Sequence, residues 1–183
     1  MNERLYVSEF TISPTDPNDV ESAQQMHGQV WLDTYPNEPE GVTRGWVKER
    51  VASHRTREAI EKRQQFLRDN ENNPARISRV AKDIDGNVIG MMHGYIDETG
   101  KQHLASLYVA KEYHGKGVAN ELMKQILDWS DPEKPLYLGV VSYNERAKAF
   151  YRKWGFIETD TALEPFGGVM PQIEMVRKGG GDQ

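Results

Sequence analysis

Between Gln102 and Trp129 the chain passes from a strand-like run, through a loop holding two glycines, into an amphipathic helix. That order constrains the fold more than any other feature. Gln102–Val109 suits a strand, and Gly117–Trp129 carries Val118, Leu122, Ile126 and Trp129 on one helical face. Such a helix must lie against a sheet to hide that face. Its start is also chemically special. The N–H groups of a first helical turn lack intrahelical partners, and with the positive end of the helix dipole they suit a phosphate. Gly115 and Gly117 have no side chain to hold an anion off the backbone, and Lys116 adds positive charge. The loop lacks both the Gly-Lys-Ser/Thr ending of a P-loop and the three-glycine spacing of the dinucleotide fingerprint.

The remaining elements follow from periodicity and turn chemistry. Leu5–Ile12 reads as a first strand. Asp16-Pro17 predicts a capped helix start, continued by Val20, Ala23, Met26, Val30, Trp31 and Thr34 and stopped before Pro36. Thr43 can cap a short helix through Val51, and the charged residues 53–70 predict an exposed helix. Arg76–Lys82 and Asn87–Asp97 flank the turn Asp83-Ile84-Asp85-Gly86 and predict a hairpin. Leu136–Val141 reads as a buried strand, and Asn144–Trp154 as a helix closed by Gly155. Phe156–Thr159 and Gln172–Arg177 complete the strands. The expected class is α/β (α+β), a mixed sheet with helices on its faces. One domain is expected over residues 1–178, followed by a loose tail at 179–183.

Composition narrows the function classes. The 183 residues favour one domain, and 4 Trp, 8 Tyr and 5 Phe can seed its core. A net charge of -5 argues against a generic nucleic-acid coat. Residues 1–40 are strongly acidic, which solvated helix faces explain and which would also attract a cationic ligand. With no cysteine, disulfides, thiolate metal sites and a cysteine nucleophile are excluded. His27, His54, His93, His103 and His114 show no ligand spacing, so no metal is expected. No secretory signal and no apolar run of about 18 residues is visible, so a soluble, cytoplasmic protein without a membrane partner is expected.

A second segment gives the glycine loop its meaning. Leu136–Phe156 is a strand, a turn, a helix and a strand entry, with Asn144, Ala147, Phe150, Tyr151, Gly155 and Phe156 at fixed spacing. Together with His114-x-x-Gly117-x-Ala119, it resembles the GCN5-related N-acetyltransferase (GNAT) superfamily. Its acetyl-CoA loop reads Arg/Gln-x-x-Gly-x-Gly/Ala, and its second signature reads Asn-x-x-Ala-x-x-Phe-Tyr-x-x-x-Gly-Phe. The resemblance is specific over about residues 76–159. Two departures matter. His114 stands where the family has Arg or Gln, and Leu138-Gly139-Val140 lacks the glutamate that some ribosomal-protein N-terminal acetyltransferases carry there. The latter triplet and Trp31-x-x-Thr34-Tyr35-Pro36-Asn37 look more like bacterial spermidine/spermine-type acetyltransferases.

The resemblance implies a mostly antiparallel sheet, splayed between its fourth and fifth strands to admit acetyl-CoA. It implies that Leu107, Tyr108, Val109, His114, Gly115, Lys116, Gly117, Val118, Ala119, Asn144, Ala147 and Tyr151 line the cofactor. The reaction it implies is direct attack of a neutral primary amine on the acetyl thioester. The backbone N–H of Val109 is nominated as oxyanion donor and Tyr151 as the acid that protonates the leaving thiolate. Tyr151 also has a plain reading as a core aromatic, and Asn144 as a helix cap. An alkyl ammonium with a pKa of about 10.4 must lose a proton before attack. Candidates to take it are His103, whose count along the strand gives it the parity of Val109, then His93, Ser106 or a chain of waters. Lys148 and Arg152 are further candidates for the phosphates. Trp31, Tyr35 and Trp46 could shape the acceptor wall, with Glu38, Asp33 or Glu40 pairing with a substrate ammonium. The leading expectation is acetylation of a small-molecule amine such as a polyamine. The alternatives are a protein or peptide N-acetyltransferase and a non-catalytic acyl-CoA sensor. Homodimers are common among similar proteins, though the sequence displays no interface.

Overall fold

In the computed structural model, which describes residues 10–180, β1 (Phe10–Pro14) opens a seven-stranded sheet. The strand ends two residues beyond the expected Ile12, and Leu5–Glu9 fall outside the described residues. Asp16 caps a single 3-10 turn through a capping box with Asp19, and the long helix α1 (Val20–Thr34) begins only after it. Thr43 and Thr56 each accept a hydrogen bond from the third residue of α2 (Arg44–His54) and α3 (Arg57–Asp69).

β2 (Arg76–Asp83), β3 (Val88–Ile96) and β4 (Gln102–Val109) form the antiparallel meander that the turn signals predicted. Then follow α4 (Val118–Trp129), β5 (Leu136–Val141), α5 (Glu145–Lys153), β6 (Phe156–Ala162) and β7 (Gln172–Arg177). The strand order is β1-β2-β3-β4-β5-β7-β6, so the last strand inserts between the two before it. Gly155 adopts φ 83, the left-handed turn that ends α5. At the start of the expected tail, the Gly180 N–H donates to the Pro132 carbonyl at 2.9 Å.

The two faces of the sheet carry different helices. α4 and α5 cover one face, where Leu122, Met123 and Ile126 are completely buried with Met92, Leu136 and Phe156. Each such side chain contributes roughly 1.5–3 kcal/mol relative to exposure. α1 packs on the opposite face with Val80, Val88 and Met91, and α2 joins it through Val47 and Val51.

Two irregularities make the site. All neighbouring strands are antiparallel except β4 and β5, which run parallel and pair only at Gln102↔Leu136 and His103↔Tyr137. Beyond those residues the two strands diverge. Secondly, the β3–β4 register shifts between His93 and Gly94, so that His93 faces Ser106 while Gly94 faces Leu104. Ala105 is the extra residue of a bulge. Gly94 is needed there, since a Cβ would stand 2.3 Å from Ile126 Cδ1. The bulge also reverses the alternation along β4. Leu104 and Val109 both point into the α4 core, while Tyr108 packs under α1. His103 therefore lies on the opposite face from Val109, contrary to the parity counted from sequence.

Candidate active site

The splay between β4 and β5 opens a cleft of about 550 Å³. Its walls combine the second half of β4, the loop before α4, the end of β5, the start of α5, Trp31 and Tyr35 of α1, and Phe166 and Met170 between β6 and β7.

The β4 wall presents main-chain groups. Ala110 N–H donates to the Ile89 carbonyl at 2.8 Å, and Val109 stands opposite Gly90. In an antiparallel ladder, bonded and non-bonded pairs alternate, so the N–H groups of Leu107 and Val109 point away from β3. On that side β5 has already diverged. Their free amides therefore face the cleft. The Val109 carbonyl, also on that side, accepts from His114 Nε2 at 3.1 Å.

His114 has a defined role in this network. Arg146 donates to its Nδ1 at 2.8 Å, and because a guanidinium is donor only, the ring proton sits on Nε2. Burial and the Arg146 charge both hold the His114 pKa below its ordinary value. The imidazole thus ties α5 to the end of β4, and Arg146 is held beside the glycine loop. Arg146 escaped the sequence reading because it falls on a variable position of the second motif.

The loop itself has the backbone geometry that an anion cradle needs. Gly115 and Gly117 have φ 78 and 89, and a Cβ at either would enter open space with nothing within 4 Å. The first helical bond of α4 runs from Glu121 N–H to the Gly117 carbonyl at 3.0 Å, which leaves the amides of Val118, Ala119 and Asn120 ahead of it. His114, Arg146 and Lys153 line the cleft, and no Asp or Glu does among the described residues. That charge balance suits a polyanionic ligand.

Tyr151 projects from α5 into the base of the splay. Its ring is buried, edge-on to Phe150 and Phe156 at 5.6 and 5.8 Å. Burial and then nearby Tyr108 push its pKa well above 10, and the hydroxyl has no hydrogen-bond partner among the described residues. A donor without a protein acceptor that opens onto a cleft is free to meet a ligand atom. Asn144 caps α5, its Oδ1 accepting from Ala147 N–H at 3.1 Å, and both residues line the cleft.

These features match coenzyme A as a ligand: free strand amides for an amide-bearing arm, a glycine cradle and cations for a diphosphate, and a buried phenol at the far end. The sequence from Ala23 to Phe156 matches the model of the Acetyltransferase (GNAT) family over residues 23–156. The chain belongs to the GNAT acetyltransferase family. Uncharacterized N-acetyltransferases of Mycobacterium bovis and Mycobacterium tuberculosis are 36% identical over 76 residues, which is 39% of this chain and 47% of theirs. The chain thus spans about half the length of the curated relatives it matches. Among solved structures, a PaiA N-acetyltransferase from Thermoplasma acidophilum in complex with coenzyme A superposes with TM-score 0.72 at 21% identity, covering 92% of this chain and 98% of that one. A spermidine N-acetyltransferase from Vibrio cholerae in complex with CoA and spermine gives 0.63 at 19%, covering 92% and 95%. Both likenesses are of fold.

Within this GNAT fold, several expected site residues lie elsewhere. The side chain of Val118 is fully buried in the core, so only its amide can face a ligand. Lys116 lies over the Tyr113 ring at 4.8 Å and does not line the cleft. Lys148 and Arg152 pair with Glu145 and Glu158. Glu38 is exposed outside the cleft, its carboxylate accepting from Arg44 N–H at 3.3 Å. His103 is also outside it: its Nε2 is 2.8 Å from Asp97 Oδ2 and its ring stacks on Tyr95. The bulge at Ala105 leaves it on the face opposite Val109, outside the cleft lining. His93 is excluded by chemistry. Arg63 donates to its Nε2 at 2.8 Å, so the ring proton is on Nδ1, which donates to Ser78 Oγ at 2.7 Å. Its single lone pair is occupied, and burial first, then the Arg63 charge, lowers its pKa to about 3.

Trp31 and Tyr35 do line the cleft, edge-on to each other at 5.2 Å, with Phe166 5.4 Å from Trp31. Tyr143 anchors that corner by donating to the Tyr35 carbonyl at 2.7 Å. Phe166 and Met170 were not legible as site residues, because they follow β6 in a stretch without any motif. Among the described residues no helix is long and apolar enough to cross a membrane, and no group of three or more His, Asp or Glu could hold a metal.

Proposed function

We propose that the protein transfers the acetyl group of acetyl-CoA to a primary amine of a small molecule by direct attack. The observation that carries this is the parting of β4 from β5, with unpaired amides along one edge and a partnerless buried phenol at its base. When bound, acetyl-CoA supplies an electrophilic thioester carbonyl. The chain's own groups would do the rest. The amides of Gly117, Val118, Ala119 and Asn120, with Arg146 and Lys153, hold the diphosphate. The free amides of Val109 and Leu107 align the pantetheine arm like an added strand as it runs back along β4 from the loop, and one of them donates to the carbonyl oxygen as it gains negative charge.

Tyr151 gives its proton to the departing sulfur. A phenol with a raised pKa is a weak acid in water, but burial also raises the basicity of a thiolate, so the two come closer together in the cleft. No imidazole lining the cleft has a free lone pair. His114 accepts from Arg146 and donates to Val109. Proton removal from the amine is therefore assigned to water in the cleft, not to a dedicated histidine.

The amine approaches from the α1 side, past Trp31, Tyr35 and Phe166. A neutral amine with an apolar stem suits such walls. The Vibrio cholerae protein makes a polyamine acceptor the natural first test. A multiply charged polyamine would want carboxylates along its path, and this cleft has none among the described residues. The test is to incubate the protein with acetyl-CoA and a panel of amines including spermidine, following free CoA thiol. Amine-dependent thiol release supports the reading. Tight acetyl-CoA binding without release across the panel would favour an acyl-CoA sensor, and release only with peptides would favour a protein N-acetyltransferase.

A further inference from the structure

A second cavity of about 550 Å³ lies on the same face of the sheet, under α3, and shares Ala105 and Ser106 with the acetyl-transfer cleft. A polar row leads to it across the sheet. Ser106 of β4 stands opposite His93 of β3, and His93 opposite Ser78 of β2. The hydrogen bonds along this row have one direction. Arg63 donates to His93 Nε2, His93 donates to Ser78 Oγ at 2.7 Å, and Ser78 donates to Thr15 Oγ1 at 2.7 Å. The chain ends on a neutral hydroxyl. It fixes the Arg63 guanidinium but does nothing to neutralise it.

No carboxylate among the described residues lies within ion-pair distance of Arg63 or of Arg76. Arg63 lies over Phe66, and Arg76 lies over both Phe66 and Tyr95. Burial and then the Arg76 charge make the charged form of Arg63 less favourable than in water. Asp16 and Glu71 line the same cavity, but Asp16 is spent capping the turn at Asn18. A partly buried guanidinium without a counter-ion, held in place and facing a cavity, has an unmet need for an anion. Arg50 adds to the positive balance on the acceptor side, for its guanidinium lies over Phe166 and its buried Nε has no partner.

We propose that this cavity is a subsite for an anionic group, carboxylate or phosphate, carried at the far end of the acceptor amine and held by Arg63. The proposal rests on the acetyl-transfer reading for its acceptor and on the Arg63 geometry for its anion. Ser106 borders the cleft and His93 lies one strand spacing away, about 4.8 Å, with Arg63 a hydrogen bond beyond. Measured from the Ser106 end of the cleft, beside the Leu107 amide, amine and anion would be separated by roughly 7–8 Å, the reach of four methylenes.

The test compares n-pentylamine, 5-aminopentanoate, 3-aminopropyl phosphate and cadaverine as acceptors, following thiol release, and titrates inorganic phosphate by calorimetry into the protein saturated with CoA, which fills the glycine cradle. We expect one of the two anionic acceptors to exceed n-pentylamine in kcat/KM by about ten- to hundredfold. Whichever does identifies carboxylate or phosphate as the group. Arg63→Gln should bring that ratio towards one, Arg63→Lys should restore part of it, and Arg76→Gln should lower it to a lesser degree. Phosphate should bind the parent protein, compete with the preferred acceptor, and bind Arg63→Gln at least tenfold more weakly. Cadaverine or n-pentylamine as the best acceptor would overturn the proposal, as would phosphate binding that is absent, indifferent to Arg63 or non-competitive. Arg63-dependent phosphate binding with no thiol release from any amine would instead sink the acetyl-transfer reading and leave the anion site standing.

Discussion

Tyr151→Phe separates a catalytic phenol from a packing one, because the two readings differ in the sign of the stability change. The ring is buried between Phe150 and Phe156, and phenylalanine keeps those contacts. The hydroxyl has no protein partner among the described residues and opens onto the cleft, so the folded protein gains little from it. Its removal should leave stability in urea unchanged or raise it by up to about 1 kcal/mol. A hydroxyl bonded to protein would instead cost about 1 kcal/mol when removed. If Tyr151 protonates the leaving thiolate, kcat should fall by about 10²–10⁴-fold while acetyl-CoA affinity changes little. The measurements are a urea unfolding curve, thiol-release kinetics and calorimetric binding of acetyl-CoA. An unchanged kcat refutes the acid role. A loss of stability above about 1 kcal/mol refutes the claim that the hydroxyl lacks a protein partner.

The other predictions concern the anion cradle and the buried histidines. Gly117→Val, placed at φ 89, should destabilise the protein by about 1–2 kcal/mol and weaken acetyl-CoA binding at least tenfold; unaltered affinity would count against the glycine cradle. Arg146→Ala should raise the KM for acetyl-CoA several-fold, more at low salt than at high, with kcat nearly preserved; a salt-independent KM would show that Arg146 meets no phosphate. His27 is held neutral chiefly by burial, and secondarily by His54 and Arg63, with its pKa lowered to about 4, while that of His93 lies at about 3. An unfolded histidine titrates near 6.5, so between that pH and 4 the unfolded state binds protons that the folded state refuses. Their contribution is full above pH 6.5 and is lost on acidification, by about 2.5 kcal/mol per histidine at pH 4.5. Urea midpoints should fall steeply over that range, and His27→Gln should flatten the slope; a midpoint flat from pH 7 to 4.5 would refute the burial of both rings.

Much of this protein was legible in its sequence because local chemistry dictates local structure. Thr43, Asn144 and Gly155 mark helix ends through one hydrogen bond or one backbone angle, and those signals need no tertiary partner. The spacing of Asn144, Ala147 and Tyr151 on one helix, and of Gly115 and Gly117 ahead of another, carried the family resemblance for the same reason. What only the tertiary structure decided begins with the bulge at Ala105. One extra residue in β4, invisible to an alternating count, turned His103 to Asp97 and away from the cleft. Neighbours distant in the chain decided the rest. Arg63 occupies the lone pair of His93 from thirty residues away, His114 serves Arg146 and Val109 instead of a ligand, and Phe166 reaches the acceptor wall from between two late strands. A side chain's chemistry is set by who bonds to it and what excludes water from it, and for these residues neither was written nearby in the chain.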